Sequence, residues 1–262
     1  MSNLLFLMSK CLLQKVRSYY LPLIFVFLSA CTPKVYQVQS ANVSFVETNS
    51  QLAEDSSAIR LIAPYKKQLD EQMNKVIGYA AKEILNGRKQ NETLLGNLVA
   101  DICYDRAKKE AKIPIDLAFV TFGGLRTSIP AGAIKVSDIF ELMPFENELV
   151  LLEVDAEVIK QLFDYLAVTR NIAISNSKVL IENDKVKDVL INGEPIDNQK
   201  TYYIATSDYL ANGGDNMAFL NKAKKIIFLN VKIRDMIIEA IMQENQAGRK
   251  IDASVGGRVE VR

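Results

Sequence analysis

The residues whose types and spacing most clearly suggest chemistry are Thr121-Phe122-Gly123-Gly124-Leu125-Arg126. They follow an apolar run, 115–120, that reads as a β-strand, so the glycine pair falls where the strand ends and the backbone must turn. Glycine tolerates φ > 0 and has no Cβ, so such a turn can bring backbone N–H groups close to a bound group. Arg126 adds a permanent cation whose guanidinium forms bidentate, charge-assisted hydrogen bonds. The combination suits an anion such as phosphate. The same residues also describe a plain surface turn, and the rest of the chain must decide between the two.

What the chain lacks narrows the chemistry further. Among its 262 residues there is no histidine. That excludes Ser-His-Asp and Cys-His catalysis and any His-containing zinc or two-metal hydrolytic centre. No catalytic set and no metal-ligating set is expected. Of three cysteines, Cys103 shares a helical apolar spacing with Leu95, Leu98, Val99 and Ile102, which marks it as a core residue. With 32 basic against 31 acidic residues, no basic surface for nucleic acid is indicated.

The first residues read as an address. Lys10, Lys15 and Arg17 precede a mostly apolar stretch, 19–30, which is shorter than the about 20 apolar residues a spanning helix needs. Leu28-Ser29-Ala30-Cys31 follows and resembles a lipobox, so residues 1–30 are expected to be a lipoprotein signal peptide, with Cys31 the lipidated residue. Removing residues 1–30 leaves 29 basic against 31 acidic residues, a formal charge of −2. The expected product is an exported lipoprotein of a bacterial envelope, attached to the membrane through Cys31. Thr32 in place of aspartate favours the outer membrane. Residues 31–60, rich in Ser, Asn, Gln and Thr, read as a tether.

From residue 61 to 262 the patterns are those of one α+β domain. Ile62, Tyr65, Leu69, Met73, Val76, Ile77, Ala80 and Ile84 recur at helical spacing and predict a docking helix over 62–85, whose stripe packs on this chain or on a partner. A second helix is expected over 94–111, with Asn97 and Asp101 on one face bonding a neighbouring loop. Ser137 is expected to cap a short helix over 138–142, and Asp155 to begin another. Strands are expected at 149–154, 178–182, 186–191, 202–206 and 258–262, joined in part by Asn183-Asp184 and Asn192-Gly193 turns. A last helix is expected over 232–245. Phe145, in Pro144-Phe145-Glu146-Asn147, falls between elements, as either a core plug or a ligand platform. A second glycine pair, Gly213-Gly214, follows Tyr209 and precedes Asp215.

These pieces, in their order, resemble the C-terminal domain of the periplasmic and cell-surface 5′-nucleotidases over about residues 60–262. The motifs that carry the resemblance are Leu95-Gly96-Asn97-Leu98-Val99-Ala100-Asp101, Gly123-Gly124-Leu125-Arg126, Pro144-Phe145-Glu146-Asn147 and Tyr209-Leu210-Ala211-Asn212-Gly213-Gly214-Asp215. The resemblance implies a layered α/β/β/α fold with mixed sheets and hairpins, and a substrate-binding role. It implies that Arg126 contacts phosphate, that a base lies between Phe145 and Tyr209, and that Asp215 and Asn147 bind the ribose hydroxyls and the base edge. A further family arginine matches Arg88 or Lys89. Where the family commonly has asparagine two residues before the glycine pair, this chain has Thr121.

The family's catalytic half, an N-terminal metallophosphoesterase domain, needs several His and Asp residues around two metals. This chain has no histidine with which to build it. The resemblance therefore implies the nucleotide- or nucleoside-binding half of a 5′-nucleotidase-type hydrolase of nucleotide catabolism, working with a separate metallophosphoesterase chain that holds the divalent metals. No cofactor is expected in this chain itself. The alternative is a non-catalytic surface lipoprotein that binds a nucleoside or another ligand.

Overall fold

A computed structural model describes residues 52–87 and 91–262, together with residues 36, 38, 40–45, 47 and 49. Residues 1–30, expected to be a signal peptide, and Cys31 and Arg88 lie outside the described residues. Ser56–Arg262 forms one compact unit. It begins with helix α1 (Ser56–Met73), strand β1 (Val76–Ala80), helix α2 (Leu94–Glu110) and strand β2 (Leu117–Thr121). Strand β3 (Gly132–Lys135), helix α3 (Val136–Leu142), strand β4 (Glu148–Asp155) and helix α4 (Ala156–Thr169) follow. Four short strands come next: β5 (Ile172–Ser175), β6 (Ser177–Glu182), β7 (Lys185–Ile191) and β8 (Glu194–Pro195). The chain closes with β9 (Thr201–Ser207), α5 (Asp208–Ala211), β10 (Lys225–Lys232), α6 (Ile233–Gln246) and β11 (Val259–Val261).

The fold is α+β with mixed sheets, as expected. A five-stranded sheet runs β10-β4-β9-β2-β5, with β2 and β9 parallel and the other pairs antiparallel. A four-stranded sheet runs β11-β6-β7-β8, and β1 pairs with β3 in a separate ribbon. Side-chain alternation along the five-stranded sheet makes two cores. Ala118, Val120, Leu149, Leu151 and Ala205 face one, together with Leu95, Val99 and Cys103 of α2 and Ile237 and Ile241 of α6. Leu117, Phe119, Val150, Leu152 and Ile204 face the other, with Ile159, Leu162 and Phe163 of α4 and Val179, Ile181 and Val189 of the four-stranded sheet. Cys103 is fully buried, and burial, helped by Asp101, pushes its thiol up to about 12, as suits a core residue.

Polar side chains fix the ends of these elements. Thr93 caps α2 by accepting from Gly96 N at 2.9 Å, and Asp155 caps α4 by accepting from Val158 N at 3.1 Å. Gly96 is required for close approach, because a Cβ there would lie 2.6 Å from Phe122 Cε1 and 2.8 Å from Ala173 Cβ. Asn97 donates to Ser254 O, and Asp101 receives both Nη groups of Arg258, so these two residues do bond distant segments.

Several expectations change. The helix expected over 62–85 spans Ser56–Met73, and no residue of it is buried. Val76, Ile77 and Ala80 lie on β1 instead, and Ile84 pairs with Ile129. Their spacing is helical, yet Val76–Ala80 pairs with β3 through a bulge between Val76 and Gly78, and Gly78 lies so close to α6 that a Cβ there would be 2.5 Å from Ile241 Cγ2. The tether expected over 31–60 gives way to helix at Ser56. The short helix begins at Val136, and its start is held by Asp138 Oδ2 accepting from Lys135 N at 2.7 Å rather than by Ser137.

Candidate functional site

A cleft of about 330 Å³ opens at the ends of the parallel strands β2 and β9, where Thr121 and Ser207 leave the sheet. Its floor is Val120, Met143, Leu210 and Ile233. Gly123, Gly124, Arg126, Phe145, Asn147, Tyr209 and Asp215 surround it. Residues from four separate parts of the sequence are thus brought to one concave surface, the usual form of a small-molecule site.

On one side Phe122–Gly124 forms a single 3₁₀ turn. The expected turn at the strand end forms, but neither Gly123 nor Gly124 has a positive φ, so it does not draw on glycine's left-handed freedom. A Cβ at Gly123 would meet Asp215 Oδ2 at 3.6 Å, an ordinary contact, so the packing of the chain itself does not require glycine there. The backbone after the turn is tied down: Arg126 N donates to Leu142 O at 2.8 Å, and Asn86 Nδ2 donates to Leu125 O at 2.6 Å. The Arg126 side chain is exposed, with a long 3.4 Å bond from Nη1 to Gly123 O that an anion can replace.

Two aromatic residues form the other walls. Phe145 is 41% exposed and Tyr209 49% exposed, which rules out the core-plug reading of Phe145. The Tyr209 hydroxyl donates to Asp215 Oδ1 at 3.1 Å and accepts from Asp215 N at 3.2 Å. Tyr165 Oη donates to Asp215 O at 2.8 Å, so Asp215 is held from both ends, in a left-handed conformation at φ 52°. Asp208 Oδ1 accepts from both Tyr209 N and Glu148 N, joining the Tyr209 segment to the start of β4. Gly214 lies against the Tyr209 ring, while Gly213, at φ 85°, takes the left-handed turn before it and faces Ala218 and Asn221.

A family model described as 5′-nucleotidase, C-terminal domain, matches residues 76–222. The chain belongs to this family. UshA of Escherichia coli (strain K12) is 27% identical over 222 residues, a match covering 78% of this chain and 37% of that protein. The trifunctional nucleotide phosphoesterase protein YfkN of Bacillus subtilis is 26% identical over 246 residues, covering 86% of this chain and 16% of that one. Among solved structures, the 5′-nucleotidase precursor of Thermus thermophilus superposes with a TM-score of 0.67 at 24% identity, over 79% of this chain and 43% of that one. The chain thus spans less than half the length of these relatives.

Of the site residues expected in this 5′-nucleotidase C-terminal domain, Gly123, Gly124, Arg126, Phe145, Asn147, Tyr209 and Asp215 meet at one cleft. Gly213 and Gly214 do not line it, though Gly214 lies against the Tyr209 ring, and Arg88 lies outside the described residues. Thr121, noted for its departure from the family pattern, lines the cleft as well. Sequence reasoning missed the contribution of residues 232–234. Ile233 N donates to Asn147 O at 3.0 Å, and Lys232 and Arg234 both pair with Glu146. Hydrogen bonds from Lys232 and then Arg234 hold the Glu146 carboxyl down to about 2. The only sequence signal was a Lys-Ile-Arg run at a helix start. Among the described residues no cluster of three metal-ligating side chains exists.

Proposed function

We propose that this chain is the nucleotide- or nucleoside-binding half of a 5′-nucleotidase-type phosphoester hydrolase. The observation that carries the reading is the convergence of Arg126, Phe145 and Tyr209 on one cleft. A base between the Phe145 and Tyr209 rings gains about 1 to 3 kcal/mol per stacking contact. Asp215 and Asn147 line the same cleft and are assigned to the ribose hydroxyls and the base edge. Arg126 takes the phosphate by charge-assisted hydrogen bonds.

The hydrolytic step is assigned to a separate metallophosphoesterase chain whose divalent metals activate water. This chain's residues bind and orient; they hold no proton for the reaction. Helix α1 is the proposed joint. Leu61, Ile62, Tyr65 and Leu69 are all exposed on it, and an isolated helix of this length carrying Pro64 inside gains little stability alone. Lipid on Cys31 is proposed to place the pair at a bacterial membrane.

The test is phosphate release from AMP with a divalent cation. The purified chain should bind AMP and release no phosphate, and a metallophosphoesterase should accompany it when it is isolated from its native envelope. Sustained turnover by this chain alone, freed of trace phosphatase, would contradict the assignment.

A further inference from the structure

We propose that Arg234 is a positioning residue for the Phe145 wall, acting through an ionic clasp that closes on Glu146. The proposal rests on the reading of Phe145 as a wall of the ligand cleft. The Arg234 side chain is 6% exposed, and its guanidinium carbon stands 4.0 Å above the Phe140 ring. Nη1 donates to Phe145 O at 3.5 Å, and Nη2 pairs with Glu146. Lys232 pairs with the other oxygen of the same carboxylate, and the intervening Ile233 N binds Asn147 O. Three consecutive residues, 232–234, therefore grip three consecutive residues, 145–147.

Burying a guanidinium is costly unless it is paired. Arg234 Nε makes no hydrogen bond and has only a long, 3.9 Å ionic contact with Asp235 Oδ1, so its burial depends mainly on what the two Nη groups find. Both find the Phe145 loop. Opening that loop would leave the guanidinium with only the Phe140 ring and the long Asp235 contact, and this couples the position of Phe145 to the ion pair. Glu146 is 60% exposed, so salt reaches the pair and weakens it. Arg234 is not among the residues that line the cleft.

The chain contains no tryptophan, so Phe145→Trp introduces a single indole on the wall itself. Steady-state anisotropy of that indole, in the full chain without ligand, reads the clasp directly. Arg234→Met and Glu146→Gln in this background should each lower the anisotropy while the far-ultraviolet circular dichroism stays unchanged. Added sodium chloride should lower it where Glu146 is intact and leave the Glu146→Gln form unaffected. With Phe145 restored, Arg234→Met should weaken AMP and adenosine by one common factor of about ten, equivalent to about 1.4 kcal/mol. Unchanged anisotropy in both variants would overturn the proposal, as would a loss confined to AMP, which would make Arg234 a phosphate contact. If Arg234→Met does not fold, the exposed Glu146→Gln carries the test. If the unaltered chain binds no nucleotide, the proposed function fails, while the anisotropy still decides whether the clasp exists.

Discussion

The hydroxyl of Tyr209 is engaged twice by a single residue, accepting from Asp215 N at 3.2 Å and donating to Asp215 Oδ1 at 3.1 Å. The ring is backed by Gly214, where a Cβ would lie 2.5 Å from Tyr209 Cε1 and Cζ. Gly214→Ala must therefore displace the ring or break its bonds to Asp215. Affinity for AMP and for adenosine should both fall about tenfold or more, the loss of roughly one stacking contact. Titration calorimetry checks this, and unchanged affinity would show that the Tyr209 ring is not a fixed wall.

Arg126 separates phosphate recognition from base recognition. Arg126→Ala should weaken AMP by about 1.5 to 3 kcal/mol, the range for hydrogen bonds to charged groups, and leave adenosine unchanged. Competition between the two ligands for the same cleft gives the ratio directly. Equal loss for both would place Arg126 in the frame of the site rather than at the phosphate.

The Glu146 pair carries a pH signature with a definite sign. Its carboxyl sits at about 2 in the folded chain against an ordinary value of 4.5, so the stabilisation is fully present above pH 4.5 and is lost between 4.5 and 2. Lys232 and Arg234 face it, with Asp235 nearby, and Lys232 is shifted upward by the same hydrogen bond. The melting-temperature difference between the unaltered chain and Glu146→Gln should be flat from about pH 5 to 8 and close below 4.5, where the carboxylate begins to take up its proton. A difference that changed near neutral pH would point to another group.

Helix α1 should be separable from the fold. None of its residues is buried, so Leu61→Asp with Leu69→Asp should leave the melting temperature unchanged. The same double variant should fail to retain a metallophosphoesterase partner. Lower thermal stability with partner binding intact would reverse the assignment of that face.

The site was more legible in the sequence than the frame that holds it. Phe145 and Asp215 sit beside Pro144 and Gly214, Arg126 is two residues after Gly124 and Tyr209 four before Gly213, and local chemistry marked those turns. The grip of Arg234 on Glu146 spans 88 residues, and that of Arg258 on Asp101 spans 157, and no local pattern encodes such partners. The strands expected over 149–154 and 202–206 form as β4 and β9, whose apolar runs stand out from their surroundings. Ribbon strand β1 reads as helix in the sequence because Val76, Ile77 and Ala80 continue the apolar spacing of α1, and burial at a sheet decides the matter only in three dimensions. The edge strand β5 is four residues, all buried, too short for a period to be read.

The most direct test of nucleotide binding at this cleft is a calorimetric titration of AMP into the purified full chain and into Phe145→Ala combined with Tyr209→Ala. Saturable binding by the unaltered chain and its loss in the double variant are predicted. Equal affinity in the two proteins, or no binding by the unaltered chain, would contradict the assignment.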